Sequence, residues 1–239
     1  MSRIEWSASS WRQPMPPAPS AERAALLDHL SGLVLAFGDR RVRVAVDGRT
    51  AAGKTSLGHE LARRIADSGR VVLRASLDDF KRPWSEAHTY DRVSGEGYYR
   101  NAQDSGAARR LLLDPAAPDG SGLVALCSID PLTQVDHSNT TVEMPADGVL
   151  IVDGVFAFRP ALDPCWDLRI WVEIDPELSV RRGVARDTAL EGGAAHAEAL
   201  HRDRYLIGET IYIDDVDPAS RADIVVDNAD LATPRIVRG

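Results

Sequence analysis

At 239 residues, 44% of them hydrophobic, the chain is long enough to bury one full core. Its 36 acidic and 28 basic residues leave a net charge of −8, which argues against a nucleic-acid polymer as partner, although a local loop can still hold a small anion. No apolar run has signal-peptide or membrane-span length, and Cys127 and Cys165 lie apart without metal-ligand spacing. A soluble, cytoplasmic protein with reduced thiols, no membrane partner and no zinc site is expected.

Residues 1–19 carry Pro14, Pro16, Pro17 and Pro19 and are expected to drape over the surface as an extension, with 20–239 forming a single domain. Ser20 caps a helix whose stripe is Leu26, Leu27, Leu30, Leu33 and Val34, and Gly38 stops it. Val42–Val46 reads as an apolar strand, Ser56–Ala66 as a helix with Leu57, Leu61 and Ile65 on one side, and Val71–Ala75 as a second strand. Strand, helix and strand in that order imply a right-handed crossover and a parallel sheet.

Ser76–Asp104 lacks periodicity and contains Pro83, Gly95 and Gly97, so it is expected to be a long functional loop. A short helix follows over Ala107–Leu113, then two short strands, Leu123–Ile129 and Thr140–Met144, as a hairpin beside the main sheet. Val149–Val152 and Leu168–Ile174 read as buried parallel strands. Asp175-Pro176-Glu177 opens a helix that runs to about Ala189, Gly192-Gly193 breaks it, a second helix spans Ala195–Ile207, and Asp223–Asp227 supplies the last strand.

Between the first strand and its helix lies Asp47-Gly48-Arg49-Thr50-Ala51-Ala52-Gly53-Lys54-Thr55-Ser56, in which Gly48, Gly53, Lys54 and Thr55 fill every fixed place of a Walker A loop. Its N–H groups and the helix N-terminus suit a triphosphate, with Lys54 reaching the β- and γ-phosphates and the Thr55 hydroxyl holding Mg²⁺. Gly48, Arg49, Thr50, Ala51, Ala52, Gly53, Lys54, Thr55 and Ser56 are therefore the nucleotide-binding candidates.

Asp78, Asp79 and Phe80 stand just past the second strand, at the sheet end where ligands collect. An acid there can take a proton from an attacking hydroxyl or order Mg²⁺; a plain turn cap is the alternative. Asp153 ends its strand where an acid can bind Mg²⁺ through water, or simply form a turn. Arg182 and Arg186, four apart beside Arg181, share a helix face that can neutralise a transferring phosphoryl group or merely face solvent, with Glu177 and Asp187 as partners. His137, near Asp136, reads as a surface histidine.

These residues together resemble the uridine kinase family, within the group that includes phosphoribulokinase and bacterial pantothenate kinase. The resemblance covers about Val42 to Asp227. It rests on the Walker loop, Ser76-Leu77-Asp78-Asp79-Phe80, Pro145-Ala146-Asp147 leading to Val152–Phe158, Arg182–Asp187, and Arg221–Val226. It implies a P-loop NTPase three-layer α/β/α fold with a mostly parallel central sheet, a small lid around 181–205 and a hairpin-like substrate region.

It also implies ATP and Mg²⁺, with Asp78 as catalytic base and sugar-hydroxyl contact, Asp153 in the place of the usual glutamate, and Arg186 as the lid arginine. Lys81 stands where the family carries an aromatic, Gly95–Ala102 replaces the usual D-H-P segment, and the lid lacks E-R-G-R. The expected activity is transfer of the ATP γ-phosphate to the 5′-hydroxyl of a pyrimidine nucleoside. Phe80, Tyr98, Tyr99, Arg100 and His137 join Asp78 as acceptor contacts, Thr55, Asp78 and Asp153 are the metal set, and a neutral acceptor is favoured. A pantothenate-like or sugar acceptor and an ATP-hydrolysing binding module stay open, as does a homo-oligomer.

Overall fold

A computed structural model describes residues 4–86 and 89–239, so the first three residues of the extension and two residues of the long loop fall outside it. In chain order the strands are β1 (Ile4–Trp6), β2 (Val42–Gly48), β3 (Val72–Ser76), β4 (Leu123–Ala125), β5 (Thr141–Glu143), β6 (Val149–Asp153), β7 (Leu168–Glu173), β8 (Ile224–Asp227) and β9 (Arg235–Arg238). The longer helical elements are α1 (Ala21–Leu35), α2 (Lys54–Ala66), α3 (Gly95–Asn101), α4 (105–113), α5 (Pro176–Asp187), α6 (194–216) and α7 (Pro218–Arg221).

Seven strands form one sheet in the order β1-β3-β6-β2-β7-β8-β9, parallel except for the antiparallel edge strand β9. Alternate residues of the central strands enter two separate cores, which is why β6 reads as an unbroken apolar run. Val44, Val46, Val149 and Ile151 pack with Leu30 of α1 and Leu57 and Leu61 of α2. Ala45, Leu150, Val152 and Trp171 pack on the opposite face with Leu112, Phe156, Phe158 and Tyr212. The sheet is thus sandwiched between helical layers, as the resemblance implies, and β4–β5 form the separate antiparallel pair expected beside it.

Four elements depart from the sequence expectation. The extension does more than drape: β1 pairs in parallel with β3, and the chain beyond it is anchored by Ser7 Oγ donating to Asp79 (2.7 Å) and Ser10 Oγ to Asp130 (2.9 Å). Part of the long loop is helix α3, capped by Ser94. Its glycines serve close packing: a Cβ on Gly95 would stand 2.5 Å from Ile207 Cβ, so α3 and α6 cross where neither backbone can carry bulk. Helix α6 accordingly runs through Gly208 to residue 216 instead of ending at Ile207. Strand β9, exposed along its length, gave no burial pattern to detect.

Candidate active site

Strand β2 delivers the chain to a loop whose two fixed glycines are demanded by geometry. Gly48 has φ +150° and its missing Cβ would collide with the Val172 carbonyl oxygen; Gly53, φ +95°, is the left-handed N-cap of α2. Three elements clamp the loop. Glu209 of α6 accepts from Thr50 N (2.7 Å), Ser179 of α5 donates to Thr50 O (2.6 Å), and Asn228 after β8 donates to Ala52 O (2.6 Å). At its root Asp47 accepts from Gly48 N (2.7 Å) and the Tyr212 hydroxyl (2.6 Å). Burial pushes the Asp47 carboxyl up to about 6 despite those bonds.

The cradle suits a polyphosphate. Gly48 and Gly53 let the loop turn tightly against Val172 and Asn228, and the N-terminus of the 13-residue α2 adds partial positive charge. Lys54 Nζ folds back onto the Arg49 carbonyl at 2.8 Å. Burial pulls the Lys54 ammonium below its usual range, while Glu209, Asp47, Asp153 and Asp78 work to hold its charge. Arg49 Nε and Nη1 are buried without a hydrogen-bond partner among the described residues, although Glu209 lies 3.8 Å away.

Thr55 Oγ1 donates to Asp153 Oδ2 at 2.5 Å, so a hydroxyl at the head of α2 meets the acid at the tip of β6. Two hard oxygens in that place would suit Mg²⁺, a cation that prefers oxygen ligands. Among the described residues no group of three or more His, Cys, Asp or Glu makes a self-contained metal centre. The other Asp153 oxygen accepts from Arg74 Nη2 at 2.7 Å, both side chains being buried. Arg74 went unremarked in the sequence, yet a charge inside the run Val71–Ala75 is itself a signal that a buried partner must exist.

The adjacent acids part company at the end of β3. Asp78 is one-third exposed and pairs with Lys81 Nζ at 3.0 Å. Burial disfavours its ionised form, but Lys81, Lys54 and Arg186 outweigh that and hold its carboxyl below the usual range. Asp79 turns away, 2% exposed and bound to Ser7; burial drives its carboxyl up to about 7. Of the pair, Asp78 is the ionised acid, and its charge acts on Lys54 of the phosphate loop.

The two arginines of the expected lid also separate. Arg186 is gripped by Asp187 at 2.6 and 2.8 Å, and Asp187 in turn by His201 Nε2 at 2.9 Å. His201 fits only because position 183 is glycine: a Cβ there would overlap its ring. Around His201 the helix widens to π-type turns over 200–206, a distortion often found beside sites. The charge of Arg186 acts on Asp78, whereas Arg182 donates to the carbonyls of Asn228 (3.1 Å) and Ala229 (2.8 Å). Arg182 therefore braces the loop after β8 and is not brought to Asp78.

Most of the expected acceptor contacts lie elsewhere. Phe80 is 1% exposed and belongs to the core. Tyr98 and Tyr99 are buried in an aromatic cluster, edge-to-face with Phe156 at 5.1 and 5.2 Å, so neither ring is free to receive a base. Arg100 pairs with Glu96 on the exposed turn of α3. His137 lines a small cavity with Trp6, Cys127 and Val142. Beside Asp78 the fold instead gathers Lys81, Arg82, Arg92 and Arg204 around one cleft, a setting that the expectation of a neutral acceptor did not include.

No protein-family profile matches the chain. A uridine kinase of Lactobacillus helveticus is 21% identical over 205 residues, covering 79% of this chain and 87% of that protein. A solved Bacillus stearothermophilus structure, provisionally named a uridine kinase, superposes with a TM-score of 0.63 at 22% identity, covering 84% of this chain and 97% of that one. A Silicibacter protein provisionally named a fructose transport system kinase gives 0.62 at 19% identity, covering 81% and 94%. Loop, strand order and relatives agree: the chain is related to the uridine kinase family and carries its P-loop kinase fold.

Proposed function

We propose that the protein is a Mg²⁺-dependent kinase that transfers the γ-phosphate of ATP to a hydroxyl of a small molecule. The observation that carries this is the convergence on Lys54 of the glycine loop, the Thr55–Asp153 pair and the partly exposed, ionised Asp78. Loop amides and Lys54 hold the triphosphate, and Asp78 accepts the proton of the attacking hydroxyl. Arg186, fixed by Asp187, offsets charge on the transferring oxygens. Thr55 and Asp153 would hold Mg²⁺, which when bound would neutralise charge on the phosphates. No helix among the described residues is long and apolar enough to cross a membrane.

The first acceptor to try is the 5′-hydroxyl of a pyrimidine nucleoside, which the uridine kinase relatives suggest. A second reading, a pantothenate-like or sugar acceptor, is favoured by the burial of Tyr98 and Tyr99 and by Lys81 on Asp78. ADP release from Mg·ATP, followed across a panel of hydroxyl compounds, tests the proposal. At least one compound must stimulate release and be recovered phosphorylated; hydrolysis indifferent to every acceptor would instead favour a nucleotide-hydrolysing module.

A further inference from the structure

The cleft beside Asp78 has a composition that a neutral acceptor does not require. Lys81, Arg82, Trp84, Arg92 and Arg204 line a cavity of about 70 Å³. At roughly 10–15 Å³ per water position this holds a few waters, or the oxygens of one phosphate or carboxylate, and is too small for a nucleobase.

Its four cations come from three separate segments, and only two are answered by carboxylates: Lys81 by Asp78 at 3.0 Å and Arg82 by Glu86 at 3.5 Å. Arg92 donates to the Trp84 carbonyl (3.1 Å) and Arg204 to the Arg92 carbonyl (3.2 Å). Neither Arg92 nor Arg204 has a carboxylate partner among the described residues. The Arg204 guanidinium is held over the Tyr98 ring at 5.0 Å and the Tyr205 ring at 5.5 Å, so it is positioned without being neutralised. The charge is directed, because Lys81 belongs both to this cavity and to the Asp78 pair.

Resting on the kinase reading above, we infer that the acceptor carries an anionic group, a phosphate or a carboxylate, seated among Lys81, Arg92 and Arg204 while its hydroxyl meets Asp78. A short hydroxy acid or a hydroxylated phosphate monoester has that form. Arginine forks suit either anion, and two such groups without carboxylates leave the cavity net positive inside a chain of net charge −8.

The test pairs neutral and anionic acceptors under saturating Mg·ATP: ribose against ribose 5-phosphate, and glycerol against glycerate, with uridine as the nucleoside control. The expected result is at least a tenfold higher kcat/KM for an anionic member than for its neutral counterpart. Arg92→Gln should raise the acceptor KM at least tenfold more than the ATP KM, and Arg204→Lys, which keeps the charge, should do so much less. Inorganic phosphate, titrated with the nucleotide site filled by a non-hydrolysable ATP analogue and Mg²⁺, should bind the wild type at least tenfold more tightly than Arg92→Gln.

Phosphorylation of uridine or another neutral member with no preference for anions, or phosphate binding indifferent to Arg92, overturns the anion subsite and leaves the kinase standing. Failure of every acceptor to stimulate ADP release, together with recovery of free phosphate only, overturns the kinase and the subsite with it.

Discussion

Replacing Arg74 by Met should cost the protein far more than a typical charge substitution. Arg74 is 3% exposed in the interior of β3, and its guanidinium meets Asp153 at 2.7 Å and the Ile151 carbonyl at 3.2 Å. Methionine fills nearly the same volume, so the cavity contribution is small; what remains is Asp153, 3% exposed, with its cation removed. Breaking a buried pair from one side costs about 3–5 kcal/mol. For a chain of this length, at about 2–4 °C per kcal/mol, that lowers the Tm by roughly 6–20 °C.

Adding Asp153→Asn should restore much of the loss, because the double variant no longer buries an uncompensated charge. The assay is thermal unfolding by circular dichroism of the wild type, both single variants and the double, with and without Mg²⁺. Magnesium should recover more stability in Arg74→Met than in the wild type, since Asp153 then lacks its competing cation. A Tm drop under about 2 °C, or a double variant no more stable than Arg74→Met, would refute the pairing as the source of stability.

Three further outcomes follow from neighbouring geometry. Gly58→Ala gains about 1 kcal/mol of helix propensity, but its Cβ would lie 2.5 Å from Arg74 Nη2, so displacement of the guanidinium should win and chemical denaturation should show a net loss of about 1–3 kcal/mol. Asp79, raised from 3.8 to about 7, binds its proton more tightly folded than unfolded; the stability it contributes is present below about pH 4 and lost as pH rises through 7. Asp79→Asn should flatten the stability profile between those limits by roughly 2–4 kcal/mol, and unchanged pH dependence of the Tm would exclude Asp79 as its source. Arg186→Gln should lower turnover at least about tenfold more than Arg182→Gln, because only Arg186 acts on Asp78; equal losses in steady-state assays would contradict their separation.

The phosphate loop was legible because its chemistry fixes residue types at fixed spacing, and Gly48 and Gly53 could be read as backbone requirements before any coordinates. The sheet was legible because Val149–Val152 is apolar on both faces, the mark of a strand covered twice, and Leu168, Ile170, Val172 and Ile174 alternate as one apolar face. Glycine misled where it serves proximity rather than turning: Gly95 and Gly208 sit inside helices that cross closely, so α3 read as loop and α6 as ending early. The cationic cleft was not legible at all. Lys81, Arg92 and Arg204 are individually ordinary, and only the packing of α6 over the loop after β3 brings them to one cavity. The same folding removed Phe80, Tyr98 and Tyr99 from the acceptor site, since an aromatic residue near a site motif is as useful to a core as to a ligand.

The central claim is that the Asp78 carboxylate takes the hydroxyl proton beside a phosphate cradle built on Lys54. Single-turnover phosphoryl transfer by Asp78→Asn, measured beside Mg·ATP affinity in the same preparation, tests it most directly. The account predicts a transfer rate lower by about 10²–10⁴ with nucleotide affinity close to wild type. Transfer at the wild-type rate by the asparagine variant would contradict it.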